Sequence, residues 1–140
     1  MEPEAPQTPI QTPQSSPHYK NILCIEDEHF IGELYTRSLS KAGYNVKVVV
    51  DGEEGLKEAL TDQYDIILLD IMVPNLTGVE ILKKLRNPNQ KPIKAKIIIT
   101  TNLEQREETR KAIEKQADGY IVKANITPHE LVEMLQSLEQ

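Results

Sequence analysis

Short apolar runs alternate with amphipathic segments along this chain from residue 19 onward. Residues 66–69 are continuously apolar, which is typical of a strand buried on both faces of a parallel sheet. The predicted strands cover residues 21–25, 44–50, 64–70, 94–101 and 120–122. The predicted helices cover residues 29–42, 53–60, 79–85, 103–116 and 128–138. This alternation predicts an α/β fold in which helices cover both faces of a five-stranded parallel sheet.

The predicted fourth helix, over residues 103–116, has an unusually sparse apolar face. Leu103, Ala112, Ile113 and Ala117 are the apolar side chains that it offers to a core. A helix of this kind gains little free energy from packing. We therefore expect it to be weakly held and locally mobile.

Charge and hydropathy narrow the class of protein. The 22 acidic residues outnumber the 16 basic ones and give a net charge of −6, so direct binding of nucleic acid is not expected. No apolar run approaches the roughly 18 residues of a membrane helix, and the N-terminus lacks the pattern of a signal peptide. The single Cys24 lies in an apolar strand, which predicts a buried core residue. We expect a cytoplasmic protein that does not contact the membrane.

The first 18 residues differ in composition from the rest of the chain. Residues 1–17 contain five of the nine prolines, and Gln, Ser and Thr fill most of the remaining positions. Such a segment buries too little apolar surface to offset the entropy of ordering. We predict a disordered tail over residues 1–18, with a proline-rich docking segment as the alternative, and one folded domain over residues 19–140.

Polar side chains stand where four of the predicted strands end. Glu26 and Asp27 follow the first strand, Asp70 ends the third, Thr101 ends the fourth and Lys123 follows the fifth. These ends meet at one edge of a parallel sheet, where such folds bind ligands. Crowded carboxylates favour a bound cation, and Mg²⁺ is the natural one because it prefers oxygen ligands. Together with the lysine and hydroxyl, the cluster suits phosphoryl transfer to a carboxylate.

The sequence resembles the receiver domains of two-component response regulators. The matching segments are residues 22–28 for the acidic pair, 68–74 with Gly78 for the phosphoacceptor loop, 97–101 for the hydroxyl strand and 117–123 for the lysine. The resemblance covers residues 19–140 and implies the flavodoxin-like (βα)5 fold with strand order 2-1-3-4-5. It also implies a phosphoacceptor signalling module that is not an enzyme acting on other substrates.

The resemblance implies a chemical role for each residue of the acidic site. Asp70 would accept a phosphoryl group from a phosphohistidine on a sensor histidine kinase or a histidine phosphotransfer protein. Asp27, Asp70 and the main-chain carbonyl of Met72 would hold Mg²⁺, and Glu26 would act through a metal-bound water. Lys123 would bind the phosphoryl group.

The resemblance also implies a conformational switch. Thr101, rather than Thr100, would be the switch hydroxyl because its spacing to Lys123 matches the family, and Tyr120 would reorient with it; core packing is the alternative for Tyr120. Phosphorylation would remodel the surface of the fourth helix, fifth strand and last helix. That surface would bind an unknown downstream protein or a second copy of the chain.

The chain departs from the usual family pattern at two places. Ala124 follows Lys123 where most receivers have proline, so we predict a trans Lys123–Ala124 bond, because a cis bond there costs about 2.5–4 kcal/mol. Asn102 replaces a small residue, and either narrows access to the site or caps the fourth helix. Met72 and Leu103 lie two residues after Asp70 and Thr101, at positions that the resemblance places beside the phosphoryl group. Because apolar side chains cannot orient an attacking water, we predict slow loss of phosphate.

Three interpretations remain at this point. The first is a stand-alone receiver without an output domain. The second is a haloacid dehalogenase-like phosphatase, which also uses a strand-end aspartate with Mg²⁺ but needs a second aspartate where Met72 stands. The third is a pseudo-receiver that binds partners without being phosphorylated.

Overall fold

The computed structural model describes residues 19–139, and five strands alternate with five helices along them. The strands are β1 (Asn21–Ile25), β2 (Asn45–Val49), β3 (Ile66–Asp70), β4 (Lys96–Thr101) and β5 (Gly119–Val122). The helices are α1 (His29–Lys41), α2 (Gly52–Leu60), α3 (Gly78–Leu85), α4 (Glu107–Gln116) and α5 (Pro128–Ser137). The prediction of a disordered tail over residues 1–18 falls outside the described residues.

The sheet is parallel throughout, with the order β2-β1-β3-β4-β5. This confirms the α/β class and the strand order implied by the resemblance. In the register, Asp70 lies beside Thr100, and Thr101 lies beside Val122. The carboxyl ends of β1, β3, β4 and β5 therefore form one edge.

Two apolar layers sandwich the sheet. Side chains of α2, α3 and α4 pack on one face, and side chains of α1 and α5 pack on the other. Every residue of the central strand β3 is buried, as its continuous apolar run predicts. Cys24 is buried in the second layer, and burial raises the pKa of its thiol to about 12, which confirms a core residue. Within residues 19–139, none of the helices has the length and apolar character required to span a membrane.

The predicted start of the fourth helix at residue 103 is wrong. Helix α4 begins at Glu107, and Arg106 is its N-cap residue, so Asn102 does not cap it. The amide groups of Leu103 and Gln105 donate instead to the hydroxyls of Thr101 and Tyr120. Such hydrogen bonds to side chains compete with a helical path for the backbone. Leu103 consequently lies outside the helix and is 75% exposed.

The loop after β5 follows the predicted peptide geometry. No peptide bond within residues 19–139 is cis, so Lys123–Ala124 is trans. Residues Lys123–Asn125 form a single 3-10 turn, and α5 then begins at a capping box between Thr127 and Glu130. Lys123, the first residue of this turn, directly follows β5 and therefore lies at the carboxyl edge of the sheet.

Candidate functional site

The acidic site is built where β1 and β3 end. Glu26 directly follows β1 and Asp70 is the last residue of β3; both are buried, with exposures of 2% and 1%, whereas Asp27 is exposed. The start of α3 packs tightly against this point. A Cβ atom at Gly78 would lie 2.3 Å from the main-chain oxygen of Asp70. Glycine at position 78 therefore allows the close approach that fixes the end of β3.

The ammonium group of Lys123 lies between the two buried carboxylates. Its Nζ donates to Glu26 Oε1 at 2.6 Å and to Asp70 Oδ2 at 3.0 Å. A third carboxylate, the half-exposed Glu28, lies 3.7 Å from the same nitrogen. Since an unpaired buried charge is very costly, this bridge is what allows two carboxylates to be buried side by side.

Burial and neighbouring charges shift the pKa values of the bonded groups Glu26 and Lys123. Burial raises the pKa of Glu26 to about 7, with a further increase from the Asp70 charge, although the Lys123 hydrogen bond opposes the shift. Burial alone would lower the pKa of Lys123, but its hydrogen bonds to Glu26 and Asp70 raise it overall. Lys123 is thus held in its charged form, and the carboxylates around it outnumber its single positive charge. This surplus of negative charge favours the binding of one more cation.

Three carboxylates are close enough to share a metal ion. Glu26, Asp27 and Asp70 each offer an oxygen, and these oxygens lie within 4.8 Å of one another. All are hard oxygen donors, and Asp27 is open to solvent, so water can complete the coordination of a cation such as Mg²⁺. The Met72 amide donates to Asp70 Oδ1 at 3.1 Å, which places the Met72 main chain beside the same carboxylate.

The hydroxyls of Thr101 and Tyr120 bind the loop between β4 and α4. Thr101 Oγ1 donates to the Leu103 carbonyl at 2.9 Å and accepts from the side chain of Gln105 at 3.3 Å. The Tyr120 hydroxyl donates to Glu104 Oε1 at 3.1 Å and accepts from the Gln105 amide at 3.1 Å. The two hydroxyls are therefore held by the same short loop.

A family model described as the response regulator receiver domain matches residues 22–136. The chain belongs to this family. The match contains every residue of the acidic cluster, of the lysine bridge and of the hydroxyl-bound loop. Membership of the receiver family leaves the haloacid dehalogenase-like interpretation without support.

Among curated receiver proteins, response regulator ArlR of Staphylococcus aureus is 37% identical over 114 residues, which are 81% of this chain and 48% of ArlR. The chain thus spans about half the length of the curated relatives it matches.

Solved receiver structures superpose on most of this chain. Chemotaxis response regulator CheY4 of Vibrio cholerae is 28% identical with a TM-score of 0.73, covering 86% of this chain and 98% of that one. A CheY-like receiver domain protein from Methanospirillum hungatei JF-1 is also 28% identical, with a TM-score of 0.71, and covers 86% of this chain and 93% of that one. The BeF3-activated DrrB receiver domain is 25% identical with a TM-score of 0.70, over 87% of this chain and 99% of that one.

The receiver structure brings four of the sequence-predicted site residues into one cluster, namely Glu26, Asp27, Asp70 and Lys123. The predicted switch residues Thr101 and Tyr120 lie at the same edge of the sheet but bind the loop after β4.

Two residues that the sequence did not single out contact these switch residues. They are Glu104 and Gln105, which the mistaken helix start at residue 103 placed within α4. A polar segment directly after a strand-end hydroxyl was the available signal. Glu28 is the N-cap residue of α1, and its approach to Lys123 was also not anticipated.

Proposed function

We propose that this receiver accepts a phosphoryl group on Asp70 from a phosphohistidine on a sensor histidine kinase or a histidine phosphotransfer protein. The main support for this proposal is the position of Lys123 Nζ, which donates to Asp70 Oδ2 at 3.0 Å and to Glu26 Oε1 at 2.6 Å. It brings a cation, a nucleophilic carboxylate and an acidic cluster together at the carboxyl edge of a parallel sheet. Receiver domains as a family are phosphoacceptor signalling modules, which agrees with this arrangement.

The transfer is a displacement at phosphorus. A carboxylate oxygen of Asp70 attacks, an O–P bond forms and the N–P bond of the phosphohistidine breaks. The electron pair of that bond returns to the imidazole, which then takes up a proton. Lys123 stabilises the negative charge on the phosphoryl oxygens, and the tight packing of Gly78 against Asp70 keeps the nucleophile in place.

Mg²⁺ fits the donor set and is part of the proposal. Asp27, Asp70 and the Met72 carbonyl would hold it directly, and Glu26 would act through a metal-bound water. When bound, Mg²⁺ supplies positive charge that offsets the surplus carboxylates and the incoming phosphoryl group.

Phosphate on Asp70 is proposed to act by a population shift. The phosphoryl group binds best to a state in which Thr101 has turned towards it, and Tyr120 moves with Thr101. The surface formed by α4, β5 and α5 then changes, and it binds an unidentified downstream protein or a second copy of the chain. The stand-alone status, the cytoplasmic location and the lack of direct contact with nucleic acid stay predictions.

The proposal is tested by incubation with Mg²⁺ and acetyl phosphate, followed by intact mass measurement. We expect one added phosphoryl group, lost in Asp70→Asn and retained in Asp62→Asn. Asp62 is a suitable control because it lies in a turn at the opposite edge of the sheet, with a φ of 57° that asparagine also adopts. No adduct on the parent would favour the pseudo-receiver, and an adduct that persists in Asp70→Asn would refute the assignment.

A further inference from the structure

The Thr101 hydroxyl has no spare hydrogen-bonding capacity in this structure. A hydroxyl has one hydrogen to donate and two lone pairs that accept. Thr101 Oγ1 donates to the Leu103 carbonyl at 2.9 Å, and it accepts from the Leu103 amide and from Gln105 Nε2, both at 3.3 Å. Before it can donate to a phosphoryl oxygen, this hydroxyl must release the Leu103 carbonyl.

Gln105 is the residue that connects Thr101 to Tyr120. Its side-chain amide donates both to Thr101 Oγ1 and to the Leu103 carbonyl, the latter at 3.0 Å. Its main-chain amide donates to the Tyr120 hydroxyl at 3.1 Å. The side chain of one residue thus contacts one switch residue while its backbone contacts the other.

Burial along the loop supports a specific position for Gln105. Asn102, Leu103, Glu104 and Arg106 are exposed, whereas Gln105 is half-buried. No side chain caps α4 just after it, so the loop is held mainly by its contacts to the two hydroxyls. Loss of the Gln105 side chain therefore removes a contact to Thr101 without removing a core side chain.

We infer that Gln105 is a positioning residue that holds Thr101 on the β4–α4 loop in the unphosphorylated domain and thereby opposes phosphorylation. The inference rests on the proposed function of Asp70 and Thr101. Gln105 acts only through Thr101 and Tyr120, and its side chain must leave Thr101 for the hydroxyl to turn towards Asp70. Because the contact stabilises only the resting state, removing it raises the population of the other state.

The first test compares phosphorylation rates with acetyl phosphate and Mg²⁺. Gln105→Met keeps the length of the side chain but removes its donor. Loss of the two hydrogen bonds that this side chain donates, to Thr101 Oγ1 and to the Leu103 carbonyl, should make phosphorylation of Asp70 about two- to tenfold faster. Gln63→Met, an exposed glutamine at the opposite edge of the sheet, should match the parent.

A double-mutant cycle separates a positioning role from a general loosening of the loop. In a Thr101→Ala background, Gln105→Met should no longer accelerate phosphorylation, because the residue it acts through is gone. A rate equal to the parent for Gln105→Met alone overturns the inference. An acceleration that persists in the Thr101→Ala background overturns it as well.

A second measurement does not depend on phosphoryl transfer. NMR three-bond couplings to the Thr101 methyl carbon report its χ1 rotamer in the resting protein. We expect couplings of a single rotamer in the parent and averaged couplings in Gln105→Met. Couplings of a single rotamer in the variant as well would overturn the inference. If the parent gains no phosphoryl group on Asp70, the proposed function fails by itself, and the couplings still decide whether Gln105 holds Thr101.

Discussion

The helix that follows β3 and the helix that follows β4 begin in different ways. Helix α3 starts at a capping box, in which Thr77 Oγ1 accepts from the Glu80 amide and Glu80 Oε1 accepts from the Thr77 amide. Four of its eight residues are buried. Helix α4 has no capping side chain, and Ile113 is the buried one among its ten residues.

We propose that this difference separates the phosphoacceptor chemistry of the domain from its signalling. The α3 side fixes Asp70 against packed backbone, which suits a nucleophile that must keep its position. The α4 side is held by polar contacts to two hydroxyls and by one apolar side chain, which suits a surface that must change. Mutations on the two sides should therefore differ in their effects.

The largest effect is expected at the lysine bridge. Lys123→Met keeps much of the side-chain volume but leaves the buried Glu26 and Asp70 without their counter-charge, so the free energy of unfolding should fall by about 3–5 kcal/mol. Urea unfolding measures it. Lys111→Met is the control, since Lys111 pairs with Glu107 on the exposed face of α4 and such pairs contribute at most about 0.5 kcal/mol. Equal free energies of unfolding for Lys123→Met and Lys111→Met would contradict the expected difference between the buried bridge and the exposed pair.

The next largest effect is expected when one buried isoleucine in each of the two helices is truncated to alanine. Ile81→Ala in α3 should cost about 2–5 kcal/mol of the free energy of unfolding. Ile113→Ala should cost less than half as much, because the loss is limited by the free energy of opening α4 alone.

Hydrogen exchange measures whether Ile113→Ala opens α4 alone or destabilises the whole domain. In Ile113→Ala, amides of residues 107–116 should exchange at least about tenfold faster, while those of β3 stay protected. If exchange rises uniformly across the sheet instead, α4 is as firmly integrated as α3.

A smaller effect is expected from metal binding at the acidic cluster. Mg²⁺ at ten times its dissociation constant should add about 1.4 kcal/mol, or on the order of 4 °C in Tm, and a chelator should reverse this. Asp27→Asn should abolish the gain because it removes the exposed ligand, whereas Asp62→Asn should keep it. A gain of equal size in Asp27→Asn would place the ion elsewhere.

Much of this architecture could be predicted because its signals are local. The apolar run of β3, the left-handed Gly43 after α1 with a φ of 101°, and the capping box at Thr127 each depend on neighbouring residues. The meeting of Glu26 with Lys123, separated by 97 positions, followed from the geometry of parallel strand ends.

The start of α4 could not be predicted in the same way. Leu103 fits a helical apolar pattern, and the one local signal against it, a polar segment after the Thr101 hydroxyl, does not by itself exclude a helix. The competing partners are hydroxyls, one of them on Tyr120 in another strand, 15 positions away from Gln105. Such a contact exists only after the sheet has formed, so the tertiary structure overrides the local pattern.

The smallest effect concerns the lifetime of the proposed aspartyl phosphate. Met72 is 67% exposed beside Asp70, and its thioether is at best a weak acceptor that does not position an attacking water. In Met72→Asn, the new amide can orient that water, so phosphate loss in Mg²⁺ should become about three- to tenfold faster. Leu60→Asn, at a partly exposed apolar position on α2, should lose phosphate at the parental rate. A Met72→Asn variant no faster than the parent would show that access or geometry, rather than the apolar side chain, limits hydrolysis on the rigid side of the domain.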